Sequence, residues 1–130
     1  ITDAMLADAH TWPEIDDRFC RLIDGRQVVI YSRDFDSRLI GQTARRYGLQ
    51  TPQCFVLPLD DDLVHCAMQA YAEFYGEWAE EKGRYRWQKL STAAQQQGVT
   101  VENAHRALGD CWMTLGVIRA MSCDKNTNGV

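Results

Sequence analysis

Four consecutive residues, Val28-Val29-Ile30-Tyr31, constrain this chain more than any others. A β-branched and aromatic run this short cannot make a stable helix, and it reads as a strand buried on both faces. Helical patterns bracket it. Upstream, Thr11-Trp12-Pro13-Glu14 has the form of a capping box with proline in the first turn. Ile15, Phe19, Leu22 and Ile23 then recur at helical spacing, and Gly25 supplies the stop. Downstream, Leu39, Ile40, Thr43, Ala44 and Tyr47 share one side of a helix predicted over 36–47, closed by Gly48.

The rest of the chain repeats this alternation. Residues 50–62 read as a loop, with Pro52, Pro58 and the acidic run Asp60-Asp61-Asp62. A second strand is predicted over Leu63–Cys66, followed by a helix over 67–80. In that helix Tyr71, Phe74, Tyr75 and Trp78 at i, i+3, i+4 and i+7 read as core. A basic connector over 82–87, a short helix over 90–97 ended by Gly98, and a long helix over 105–122 complete the order, and 123–130 is a polar tail. Helix, strand, helix, strand and helices define an α/β domain with parallel crossover connections over 1–122. Two short strands make a poor sheet on their own, because independent stability generally needs three or more.

Composition narrows the function classes. No run approaches the ~18 apolar residues that span a bilayer, so no membrane partner is expected. The five cysteines, Cys20, Cys54, Cys66, Cys111 and Cys123, form no C-x-x-C pair and are odd in number. That pattern argues against a disulfide framework or zinc ribbon and for a cytoplasmic setting. A net charge of −4 does not suit a protein that coats duplex nucleic acid non-specifically. Any nucleic-acid contact should therefore be local, as in an enzyme gripping the last nucleotides of a strand.

Two motifs carry chemistry. Ser32-Arg33-Asp34-Phe35-Asp36 follows the first strand and puts a carboxylate at the carboxyl edge of the sheet, where open α/β sheets hold ligands. His105-Arg106-Ala107-Leu108-Gly109-Asp110 opens the last helix with the form H-x-A-x-x-D. Taken singly, Asp36 reads as a helix N-cap, Asp110 as a first-turn acid favoured by the helix dipole, and His105 as a surface or capping histidine. A third stretch, Lys82-Gly83-Arg84-Tyr85-Arg86-Trp87-Gln88-Lys89, interleaves four cations with two aromatic rings. This suits single-stranded nucleic acid, with phosphates met by cations and bases stacked on rings. It equally suits a solvated connector in which Trp87 anchors the next helix.

The two acid motifs, in this order and with a helix and a second strand between them, resemble the last two motifs of the DEDDh 3′–5′ exonucleases. These are ribonuclease H-like enzymes typified by the proofreading subunit of bacterial DNA polymerase III. The resemblance implies a metal-dependent hydrolase that removes nucleotides from the 3′ end of DNA, or less readily RNA, with single-stranded DNA the expected partner. It implies a catalytic set of His105 as general base with Asp110 and Asp36. The cofactor it implies is a pair of Mg²⁺ or Mn²⁺ ions, with Asp110 a direct ligand and Asp36 reaching the ions through water. Ser32 stands where the family carries Asn, and Phe35 fixes the loop that carries Asp36. Ser32, Phe35, Arg84, Arg86 and Lys89 are the expected substrate contacts.

The family's first motif, D-x-E, belongs on a first strand upstream of Ile1, and residues 1–10 hold no such triplet. The expected fold is therefore ribonuclease H-like but N-terminally incomplete, without the first three strands of its mixed sheet. With Asp36 and Asp110 alone the carboxylate count is low for two divalent ions, so the chain by itself is expected to be inactive or weak. An upstream segment or separate chain carrying the first three strands would complement it. The competing expectation is a catalytically dead module retained for binding nucleic acid or protein.

Overall fold

The computed structural model describes residues 2–56, 62–100 and 106–124, and the chain is mixed α/β. Its elements in order are helix α1 (Asp3–Leu6), helix α2 (Trp12–Ile23), strand β1 (Val28–Ile30) and helix α3 (Arg33–Arg46). Strand β2 (Val64–Cys66), helix α4 (Ala67–Tyr75), strands β3 (Trp78–Ala79) and β4 (Arg84–Tyr85), helix α5 (Leu90–Gln96) and helix α6 (Ala107–Asp124) follow. Single 3₁₀ turns occupy Gln53–Phe55 and Glu80–Lys82. Among the described residues β1 pairs with β2, and β3 with β4. Val28 N donates to Leu63 O at 2.8 Å and Met68 N to Tyr31 O at 2.9 Å, so the paired positions advance together and β1 runs parallel to β2.

The chain forms two compact units, Ile1–Val28 with Asp34–His65, and Val29–Arg33 with Cys66–Val130. In the first, the capping box starts α2 as expected. The Glu14 carboxylate accepts from the Thr11 backbone N at 2.6 Å and from its hydroxyl at 2.7 Å. These bonds hold the Glu14 carboxyl below its usual range. Phe19 lies with its ring centre 5.2 Å from Trp12 and 6.0 Å from the buried Phe55. Leu22, expected on the same apolar face, is exposed.

Helix α3 starts at Arg33 rather than at Asp36, and its inner face differs from the expected one. Ser37, Gly41 and Ala44 are buried, whereas Leu39 and Tyr47 are exposed. A seam of small residues at i, i+4 and i+7 lets the helix backbone approach its neighbours closely, and this outweighs the scattered larger apolar side chains.

The second unit has a defined core of Tyr71, Ala93, Ala94, Met113 and Val117, bordered by Tyr31, Phe74, Leu90, Val99 and Met121. The Tyr71 hydroxyl donates to Gln96 Oε1 at 2.9 Å and accepts from Gln97 Nε2 at 3.1 Å, so its polar tip is satisfied inside the core. Helix α6 and the segment after α5 approach closely at Gly116, where an added Cβ would stand 2.5 Å from Val99 Cγ1.

Helix α4 is shorter than the aromatic spacing predicts. Gly76 takes the left-handed conformation, φ 78°, and its N–H closes the helix on Ala72 O. Trp78 is therefore not a helical core residue. It pairs with Tyr85 across the β3–β4 hairpin, edge to face with ring centres 5.1 Å apart, and more than half of it is exposed. The expected basic connector over 82–87 is the turn and returning strand of this hairpin. The expected positions Asp60, Asp61, His105 and 125–130 lie outside the described residues.

Candidate active site

The second unit holds a cleft of about 420 Å³ that gathers residues from four parts of the sequence. Tyr31 and Ser32 come from just after β1, Met68 from α4, Trp87 to Lys89 from the run between β4 and α5 with Leu90 and Ser91 opening α5, and Asp110 and Met113 from α6. Its position follows from local rules. Strand β1 is not buried on both faces as its run of residues predicts, since Val28 and Ile30 are half-buried and Val29 is exposed. It ends at Ile30, which brings Ser32 to the carboxyl edge of the sheet. The hairpin returns the chain so that Lys89 occupies the N-cap position of α5. Asp110 sits in the first turn of α6, with its N–H bonded to Arg106 O at 2.9 Å and its carbonyl accepting from the Thr114 hydroxyl at 2.8 Å.

One hydrogen bond organises the cleft wall. The Tyr31 hydroxyl donates to Gln88 O at 2.9 Å, which ties the strand end to the Trp87-Gln88-Lys89 run. Burial pushes the Tyr31 phenol well above its usual pKa, so it remains a neutral donor. The Tyr31 carbonyl accepts from Met68 N at 2.9 Å, and the Cys66 thiol lies 3.4 Å from the same oxygen.

Of the expected site residues, the cleft brings together Ser32, Lys89 and Asp110. Lys89 is exposed, and Asp110 and Ser32 are half-buried. Arg84 and Arg86 lie on the hairpin side and are engaged differently. The Arg84 guanidinium stands 3.6 Å from the centre of the Trp87 ring. Arg86 pairs with Glu77 at 3.2 Å and Glu81 at 3.8 Å, so neighbouring carboxylates offset its charge. Tyr31 and Gln88 were not among the residues expected at the site. Their bond spans 57 positions, and no local pattern announces it.

Asp36 and Phe35 belong to the first unit, in the first turn of α3. Asp36 is half-buried, and burial pushes its carboxyl above the usual carboxylate range. Phe35 is exposed, with the Arg38 guanidinium 5.9 Å from its ring centre. His105, the expected base, lies five positions before Asp110 in sequence and outside the described residues.

Carboxylate oxygens are the right donors for a hard divalent ion. Among the described residues, however, no group of three or more His, Cys, Asp or Glu side chains converges as a metal-holding set. The donors present fit such ions in kind and not in number.

Comparison with known proteins gives the class. The exonuclease family known as RNase T matches residues 1–118, and the chain belongs to that family. It is 47% identical over 124 residues to the uncharacterized exonuclease CP81 of Escherichia phage 186, covering 94% of this chain and 62% of that protein. It is 30% identical over 121 residues to the DNA polymerase III epsilon subunit of Treponema pallidum (strain Nichols), covering 93% of this chain and 50% of that protein. The chain thus spans about half to three-fifths of the length of these curated relatives. No solved structure gives a significant match. Its motifs are those of the DEDDh branch, which it resembles without the D-x-E triplet.

Proposed function

We propose that the chain forms part of a 3′–5′ exonuclease that removes nucleotides from the 3′ end of DNA, with single-stranded ends favoured and RNA the lesser substrate. The observation that carries this reading is the gathering of Ser32, Lys89 and Asp110 around one cleft in a member of an exonuclease family. An anionic strand end needs a nearby cation and hydrogen-bond donors, and the exposed Lys89 ammonium and Ser32 hydroxyl are suited to a phosphate oxygen. Asp110 lines the same cleft, and a role in holding a divalent ion fits its place in the motif. His105 is the proposed base that takes the proton from the attacking water, because imidazole titrates near neutral pH without heavy tuning. Asp36 is the proposed second acid. It is half-buried in the first turn of α3, and its place in the motif supports this reading.

Divalent ions at such a site stabilise charge on the attacking and leaving oxygens of a phosphodiester. Because two acids are few for that task, the chain by itself is proposed to be inactive or weak. The remaining carboxylates would come from a D-x-E segment, upstream or on a second chain.

The test is cleavage of a 5′-labelled single-stranded oligonucleotide in Mg²⁺ or Mn²⁺, with the chain alone and with it fused behind a three-stranded D-x-E segment. A ladder of shortening 5′-labelled products from the fusion supports the reading. Release of the label as a mononucleotide would mean attack from the 5′ end and would overturn it. Tight binding without cleavage by either form would favour the second reading, a dead exonuclease-like binding module. The observation on its side is that, among the described residues, no metal-holding group of side chains converges.

A further inference from the structure

Trp87 lines the same cleft as Ser32, Lys89 and Asp110, and it also lines the neighbouring hollow formed by Gln69, Trp78 and Arg84. It is 45% exposed, too much for a residue whose purpose is to anchor a helix in a core. Its ring is nonetheless held. The Arg84 guanidinium lies 3.6 Å from the ring centre, close enough to cover one face. Arg84 Nη1 is buried and, among the described residues, takes no hydrogen-bond partner. A buried guanidinium N–H without an acceptor is costly, so the indole is the interaction that compensates this cation. From the other end, Tyr31 bonds to the carbonyl of Gln88, the residue after Trp87, and fixes the backbone that presents the indole to the cleft.

We propose that Trp87 is a stacking platform for the unpaired base of the 3′-terminal nucleotide, with Arg84 the positioning residue that holds the ring. This deepens the exonuclease reading and rests on it. The chemistry matches the placement. A flat, rigid, half-exposed indole beside a carboxylate and an exposed ammonium suits a ligand with a π-face at one end and a phosphate at the other. Stacking tolerates any base, because every base has a π-face, so the platform recognises the end of a strand and not its sequence. It favours single strands, since a paired terminal base is already stacked and must be released first. Purine ends should bind more tightly than pyrimidine ends, having the larger surface.

The test uses the full chain and two 5′-fluorescein oligothymidylates, one ending in a 3′ adenosine and one in a 3′ abasic residue, with affinity read by anisotropy. The unmodified chain should prefer the adenosine end by about tenfold, the scale of one base–aromatic stack. Trp87→Phe should keep most of that preference. Trp87→Leu, which retains apolar bulk without a π-face, and Trp87→Ala should bind both oligonucleotides equally, at the affinity of the abasic one. Arg84→Ala should reduce the preference without removing binding. A preference that survives in Trp87→Leu or Trp87→Ala overturns the platform. So does equal binding of both ends by the unmodified chain, which would leave the exonuclease reading standing. Binding of neither oligonucleotide by the unmodified chain would overturn both.

Discussion

The Tyr31 hydroxyl donates a hydrogen bond of 2.9 Å to the main-chain oxygen of Gln88, joining the end of strand β1 to the segment that enters α5. The two residues lie on opposite sides of α4 and the β3–β4 hairpin in sequence, and their bond closes one wall of the cleft that contains Asp110. Catalytic sites depend on this kind of support, because a side chain that meets substrate is only as well placed as the backbone beneath it.

Removing the bond tests that support. Tyr31→Phe keeps the ring, which borders the core, and leaves the partly buried Gln88 carbonyl without this donor. The expected cost is about 1 kcal/mol of stability, read as a lower midpoint in urea with an unchanged slope. Because the bond also fixes the Trp87–Lys89 run, the variant should bind single-stranded DNA less well than its stability loss alone explains.

The contact between α6 and the segment after α5 is tighter still. Gly116→Ala places a methyl group 2.5 Å from Val99 Cγ1, a separation that requires the short, stiff valine or its backbone to move. Overpacking of this size costs about 1–3 kcal/mol, against about 1 kcal/mol gained from the better helix propensity of alanine. Thermal unfolding should show a net destabilisation. Adding Val99→Ala in the Gly116→Ala background should destabilise by less than Val99→Ala does in the unmodified chain, because the pair is coupled.

Asp36 gives a prediction of opposite sign. Burial raises its folded-state pKa above the usual carboxylate range, so the charged form disfavours the fold. That penalty is fully present above the raised folded pKa and is relieved as pH falls through it toward the ordinary carboxylate value. Asp36→Asn should therefore unfold at a higher temperature than the unmodified chain at neutral pH. The advantage should shrink as the solution is acidified through the Asp36 titration. The same substitution should lower any nuclease activity, since functional carboxylates are often retained at a cost in stability.

The sequence was most informative where one local signal governed one element. The Thr11–Glu14 box starts α2, the Val28–Tyr31 run supplies β1, and Gly98 follows α5. It misled where two signals competed. The rings at 71, 74, 75 and 78 continue a helical period through Gly76, but the left-handed glycine ends α4 and hands Trp78 to a hairpin. Each hairpin strand is only two residues long, too short for an alternating pattern to register. Only the hairpin brings Arg86 to Glu77 and Glu81, so its ion pairs could not be read from the basic run alone. The common cleft of Ser32, Lys89 and Asp110 depends on long-range packing around Tyr71 and Met113, which no spacing rule encodes.

The most direct test of the account concerns Asp110. The chain fused behind a D-x-E segment, with and without Asp110→Asn, is given a 5′-labelled single-stranded DNA oligonucleotide in Mn²⁺. The account predicts a 3′-to-5′ ladder from the unmodified fusion and a rate at least roughly a hundredfold lower from the variant, with both unfolding at similar temperatures. An undiminished ladder from the Asp110→Asn protein would contradict it.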